Sequence, residues 1–119
     1  MKILLVDDSS TMRRIQKNTL GSLGFTEVDE AEDGQDAVAK VSANSYDLVL
    51  MDWNMPNMTG IEALKAIRAN PATAKVPVIM VTSESEKTRI LEAIQAGANN
   101  YIVKPFTPDV LKEKLDAMK

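Results

Sequence analysis

The chain has 119 residues, enough for one domain with a sizeable core and too few for two, so residues 1–119 are expected to form a single unit. With no cysteine and no histidine, it can hold no disulfide framework, no thiol or Ser-His-Asp catalysis, and no Cys- or His-ligated metal. A formal net charge of −3 speaks against nucleic acid as the main partner, because binding phosphate backbones calls for a basic excess.

The first apolar run, residues 3–6, is too short for a signal peptide or a membrane span. It reads as a strand ending in Asp7-Asp8, and a soluble cytoplasmic chain without membrane association is expected. Met12, Ile15 and Leu23 then mark a helix, with Gly24 as its stop. Residues 27–31 read as a weaker strand. Ala37, Val38 and Val41 mark a second helix after Asp33-Gly34. Residues 48–51 are a near-continuous apolar strand that ends in Asp52. Ile61, Leu64 and Ile67 mark a third helix, with Thr59 as its cap and Pro71 beyond its end. Strand 78–81 leads to Thr82. Ile90, Leu91 and Ile94 mark a fourth helix, closed by Gly97. Strand 101–103 leads to Lys104-Pro105. Leu111, Leu115 and Met118 mark a fifth helix, started by Thr107-Pro108. The seven methionines read as core filler and loop residues.

Five strands alternating with five helices predict a doubly wound α/β fold, with a parallel sheet in the common order 2-1-3-4-5. Right-handed crossovers bring every strand's carboxyl end to one edge, where such folds bind ligands. The residues just after the strands are therefore the candidates. Singly, each has an ordinary explanation. Asp7, Asp8, Ser9 and Ser10 precede a helix and can cap it, Asp52 can cap a turn, Thr82-Ser83-Glu84 can start a helix, and Lys104 can be a solvated surface lysine.

Together they converge on one edge. In that strand order Asp7, Asp8 and Asp52 are neighbours, and three close carboxylates repel unless a cation intervenes. Magnesium suits them, since it takes few protein carboxylates and keeps room for water and a phosphate oxygen. Thr82 and Lys104 supply a hydroxyl and an ammonium from the other side, completing a clamp for a phosphoryl group, with Asp52 left as the nucleophile. Asn54, two residues past Asp52, is placed to offer its carbonyl to the metal. Glu84, two past Thr82, sits where it would modulate an attacking water. Trp53 is expected to be exposed beside the site. A cis Lys104–Pro105 bond, open to an X-Pro pair, would fix the direction of the lysine.

Asp7-Asp8, Met51-Asp52-Trp53-Asn54-Met55-Pro56, Val81-Thr82 and Tyr101-Ile102-Val103-Lys104-Pro105-Phe106 resemble the signature of response-regulator receiver domains, over the whole chain and with matching spacing. The chain is most similar to the chemotaxis members of that family. The resemblance implies a flavodoxin-like fold and a receiver phosphorylated on Asp52 by a chemotaxis-type histidine kinase. It implies Mg²⁺ bound by Asp8, Asp52 and the Asn54 carbonyl directly and by Asp7 through water. Thr82 and Tyr101 would be the switch pair. The fourth helix, fifth strand and fifth helix would dock a flagellar motor switch protein or another target. It further implies a monomer, with a phosphatase among its partners, that catalyses only its own phosphorylation and dephosphorylation and is otherwise no enzyme. Ser83 stands where the family carries alanine, glycine or threonine; it is small enough to leave phosphoryl access open, and with Asn54 and Glu84 it bears on the dephosphorylation rate.

Within the family, a phosphorelay intermediate and a receiver cut from a larger regulator stay open, although the chain ends just after the fifth helix, as a stand-alone receiver would. A haloacid-dehalogenase-like phosphohydrolase would need an acid where Asn54 stands, and amides donate no proton in that role. No Ser/Thr/Gly-rich loop follows the first strand, as a flavodoxin requires, and no Gly-x-x-x-x-Gly-Lys run marks a P-loop.

Overall fold

The computed structural model describes residues 1–82, 87–103 and 106–117, with the side chains of Lys87 and Thr88 left aside. The elements are β1 (Lys2–Val6), α1 (Ser10–Ser22), β2 (Glu27–Ala31), α2 (Gly34–Ala43), β3 (Leu48–Asp52), α3 (Gly60–Ala69), β4 (Val78–Thr82), α4 (Lys87–Gln95), β5 (Asn100–Val103) and α5 (Pro108–Asp116). All strand pairs are parallel and the sheet order is β2-β1-β3-β4-β5, as the alternation predicts.

The central strands β3 and β4 are buried along their whole length, which is why their sequences are almost purely apolar. Strand β2, Glu-Val-Asp-Glu-Ala, lies at an edge and is buried only in part, so it carries charge and gives the weakest signal. The sheet separates two apolar clusters. On one face Leu4, Val6, Val49, Met51 and Met80 pack with Ala37 and Val41 of α2, Ala63, Leu64 and Ile67 of α3, and Ala93 of α4. On the other, Ile3, Leu5, Leu50, Ile79 and Ile102 pack with Leu20 of α1 and Leu111 and Leu115 of α5. Each fully buried Leu or Ile contributes roughly 1.5–3 kcal/mol.

The helix starts follow the capping chemistry. The Ser9 hydroxyl accepts from the Met12 N–H, Thr59 and Glu62 form a reciprocal capping box, and Thr107 caps α5 ahead of Pro108. Ser9, not Asp7 or Asp8, is thus the cap of α1, which releases both acids for another role. Gly24 and Gly97, at φ +91° and +106°, end α1 and α4 in the left-handed region that favours glycine.

Two helix faces differ from the expectation. Ile15, Leu91 and Ile94 are 50%, 58% and 46% exposed, so they mark the outer faces of α1 and α4. In α1 the inner positions belong to Gln16 and Leu20, and in α4 to Ala93. The polar Gln16 and the small Ala93 displaced the apolar stripe that the sequence offered. Met118, named for α5, lies outside the described residues.

Candidate functional site

The register of the sheet assembles the site. Val6 pairs with Met51, so Asp7 leaves β1 alongside Asp52 at the end of β3. Asp52 pairs in turn with Val81, which places Thr82 one residue further along the neighbouring strand. Asp7, Asp8 and Asp52 each bring a carboxylate oxygen within 4.8 Å of the others. Asp7 and Asp52 are buried and Asp8 is exposed, so the cluster is a hollow with a buried floor and one open side. All its donors are oxygens, the set a hard divalent cation takes.

Asp7 is held from several directions. Its N–H donates to the Ala31 carbonyl at 3.1 Å, and its own carbonyl accepts from the Arg13 guanidinium at 2.6 Å. One carboxylate oxygen accepts from the Ser9 N–H at 2.9 Å, and the other from the Gln16 amide at 3.5 Å. Arg13 is itself tied to Glu30 at 3.0 Å, linking α1, β2 and the acidic pair.

The floor under Asp52 is fixed by Gly60. Its N–H donates to the Trp53 carbonyl at 2.8 Å, and any Cβ there would collide with the Asp52 carbonyl oxygen. Only glycine lets α3 start this close to the end of β3. The loop between them passes through Asn57 at φ +66°, whose amide donates to Asp33 at 3.0 Å. That bond, after the stronger one from the Asp36 backbone N–H, holds the Asp33 carboxyl below its usual range.

Trp53 corrects an expectation: it is only 6% exposed and belongs to the core. The Arg89 guanidinium of α4 stacks over its ring at 5.0 Å, so the residue after Asp52 is covered by a helix instead of facing water. Asn54 is exposed two residues past Asp52. Tyr101 is half-buried on β5, level with Met80 and two positions before Val103, the partner of Thr82; Lys114 lies over its ring at 4.3 Å. Ser83, Glu84 and Lys104-Pro105 lie outside the described residues. The structure therefore brings together Asp7, Asp8 and Asp52 with Thr82 on the next strand.

Sequence reasoning missed Gln16, Gly60 and Arg89. Gln16 carried a legible signal, a polar residue one turn before Leu20 on the inward stripe. The roles of Gly60 and Arg89 arise from contacts between elements that no local pattern encodes.

Comparison with known proteins agrees with this geometry. Residues 3–116 match the response regulator receiver domain family. The chain is 54% identical to the chemotaxis protein CheY of Pseudomonas aeruginosa, over 98% of this chain and 94% of that one. It is 55% identical to chemotaxis protein CheY1 of Helicobacter pylori, over 99% and 96%. Among solved structures, Vibrio cholerae CheY4 superposes with a TM-score of 0.89 at 37% identity, covering 99% of this chain and 98% of that one. The receiver domain of sensor histidine kinase PA1611 from Pseudomonas aeruginosa superposes at 0.88 with 33% identity, covering 98% and 95%, and carries a magnesium ion coordinated in its active site cleft. The chain belongs to the response regulator receiver domain family, as a signalling protein of the CheY type.

Proposed function

We propose that this chain is a stand-alone chemotaxis receiver that accepts a phosphoryl group on Asp52 with Mg²⁺ and signals by docking a target. The observation that carries this is the trio of carboxylate oxygens of Asp7, Asp8 and Asp52 within 4.8 Å at the carboxyl edge of the sheet, with Thr82 ending the adjacent strand. The residues fit a magnesium ion: an all-oxygen, clustered, formally trianionic set repels itself and has one exposed side for solvent and phosphate. Asp8 and Asp52 would hold the ion with the Asn54 carbonyl, and Asp7 would orient its water. When bound, the ion supplies positive charge against the phosphoryl oxygens.

The Asp52 carboxylate oxygen attacks the phosphorus of a phosphohistidine on the kinase. A P–O bond forms, the P–N bond breaks, and its electron pair leaves on the imidazole, which takes up a proton. Burial of Asp52 keeps water from its rear, and the Gly60 contact holds the backbone behind it. Thr82 donates a hydrogen bond from its hydroxyl to a phosphoryl oxygen, and Lys104 would supply an ammonium against the phosphoryl charge. Drawing Thr82 toward the phosphoryl group opens space beside it, which the Tyr101 ring enters. Ser83, Glu84 and Asn54 would set the lifetime of the phosphoryl group.

The docking face would be α4, β5 and α5. It bears Leu91 and Ile94, with Val110 38% exposed and the half-buried Tyr101 between them. These are the apolar side chains an interface needs. A flagellar motor switch protein is the partner proposed, because the relatives of greatest overall similarity reported above are chemotaxis proteins that this chain covers almost end to end. Among the described residues no helix is long and apolar enough to cross a membrane.

The test is acetyl phosphate with Mg²⁺ added to wild type and Asp52→Asn, read by Trp53 fluorescence and intact mass. Wild type is expected to gain one phosphoryl group and change its emission, and the variant to do neither. Equal responses would defeat the assignment of Asp52.

A further inference from the structure

Gln16 is a polar residue only 3% exposed, on the inner face of α1, where the chain elsewhere places Leu20. An amide buried without a partner costs roughly 1–3 kcal/mol, so its place at this depth calls for one. Its partner is the second carboxylate oxygen of Asp7, to which Nε2 donates at 3.5 Å. The first oxygen is pinned by the Ser9 N–H, and the Asp7 carbonyl by Arg13. With one oxygen fixed, each group that meets the other bears on the direction of the carboxylate plane. The Gln16 amide is one such group, reaching it from the inner face of α1.

We infer that Gln16 is a positioning residue for the metal centre: it turns the Asp7 carboxylate toward Asp8 and Asp52 and so presets the acidic hollow for its cation. This rests on the magnesium reading proposed above. Groups that orient a metal-binding carboxylate from behind typically change metal affinity by 10–100-fold when removed. The long 3.5 Å contact places Gln16 at the lower end of that range. An amide is suited to the task, since it donates to a carboxylate without cancelling the charge that attracts the cation. A lysine here would compete with the metal, and a leucine would remove this donor from the carboxylate.

The test is calorimetric Mg²⁺ titration of wild type, Gln16→Met and Leu20→Val, with a metal-free urea melt of each. Gln16→Met keeps the volume and removes the donor. Leu20→Val loosens the same helix face one turn away without touching Asp7. The Kd for Mg²⁺ is expected to rise about tenfold in Gln16→Met and to stay within twofold in Leu20→Val. Should Gln16→Met not fold, Gln16→Asn, whose shorter amide falls short of Asp7, carries the same expectation. A Gln16 variant that keeps the wild-type Kd overturns the inference, and so does an equal rise in Leu20→Val. Wild type that fails to bind Mg²⁺ at all overturns the magnesium reading itself, and this inference with it.

Discussion

Replacing Asp52 by asparagine should make the metal-free protein more stable, not less. Three carboxylate oxygens within 4.8 Å of one another form three repelling pairs, and the substitution removes two of them. At 4.8 Å and an effective dielectric of about 20, each pair repels by ~3 kcal/mol before relaxation. Solvent on the open Asp8 side and local hydrogen bonds absorb most of this, which leaves a net gain of ~1–2 kcal/mol. Magnesium should close most of that gap. At tenfold above its Kd, a ligand specific for the folded state adds ~1.4 kcal/mol, and Asp52→Asn loses most of that by losing a charged ligand. Urea denaturation with and without Mg²⁺ measures both terms, with unchanged slopes showing that only stability has moved. If Asp52→Asn is no more stable than wild type without metal, or gains as much from Mg²⁺, then the cluster is not a strained, cation-ready site and the reasoning fails.

Three further outcomes are expected. Gly60→Ala forces a methyl against the Asp52 carbonyl and against Met80 at 3.0 Å; since backbone must yield, it should cost ~2–3 kcal/mol in urea melts and weaken Mg²⁺ binding. Arg89→Ala uncovers the ring of Trp53, so emission should shift to the red and acrylamide quenching should increase, at a cost of ~0.5–1 kcal/mol. Burial, and then the hydrogen bond to Asp29 at 2.7 Å, push the Tyr46 phenol up to about 12 from its ordinary 10.0. The folded chain then keeps its proton where the unfolded chain has lost it, so this contribution is full below pH ~10 and gone by pH ~12. Tyr46→Phe should flatten that alkaline loss of stability, by at most ~2 kcal/mol.

The fold was legible where burial and composition coincide. Strands β3 and β4, buried on both sides, announce themselves as unbroken apolar runs, and the edge strand β2 was faint because half of it meets water. The acids of the site were legible because strand ends in a doubly wound fold share an edge, so position along the chain translates into proximity. Helix faces were less so. Ile15, Leu91 and Ile94 look like core and face outward, since what faces inward is settled by the space available against the sheet: an alanine-sized gap at Ala93 and a carboxylate at Gln16. Trp53 reads as a loop aromatic from its neighbours, and the core cluster and the Arg89 of α4 that cover it come from distant parts of the chain.

The sheet also acts as a partition between two separate interiors, one shared by α2, α3 and α4 and the other by α1 and α5. Among the described residues the two clusters are separate, so substitutions on opposite sides should combine additively. Each compartment can then drift in composition without retuning its counterpart. The rim of carboxylates, fed by strands that border both rooms, is answerable to the two at once.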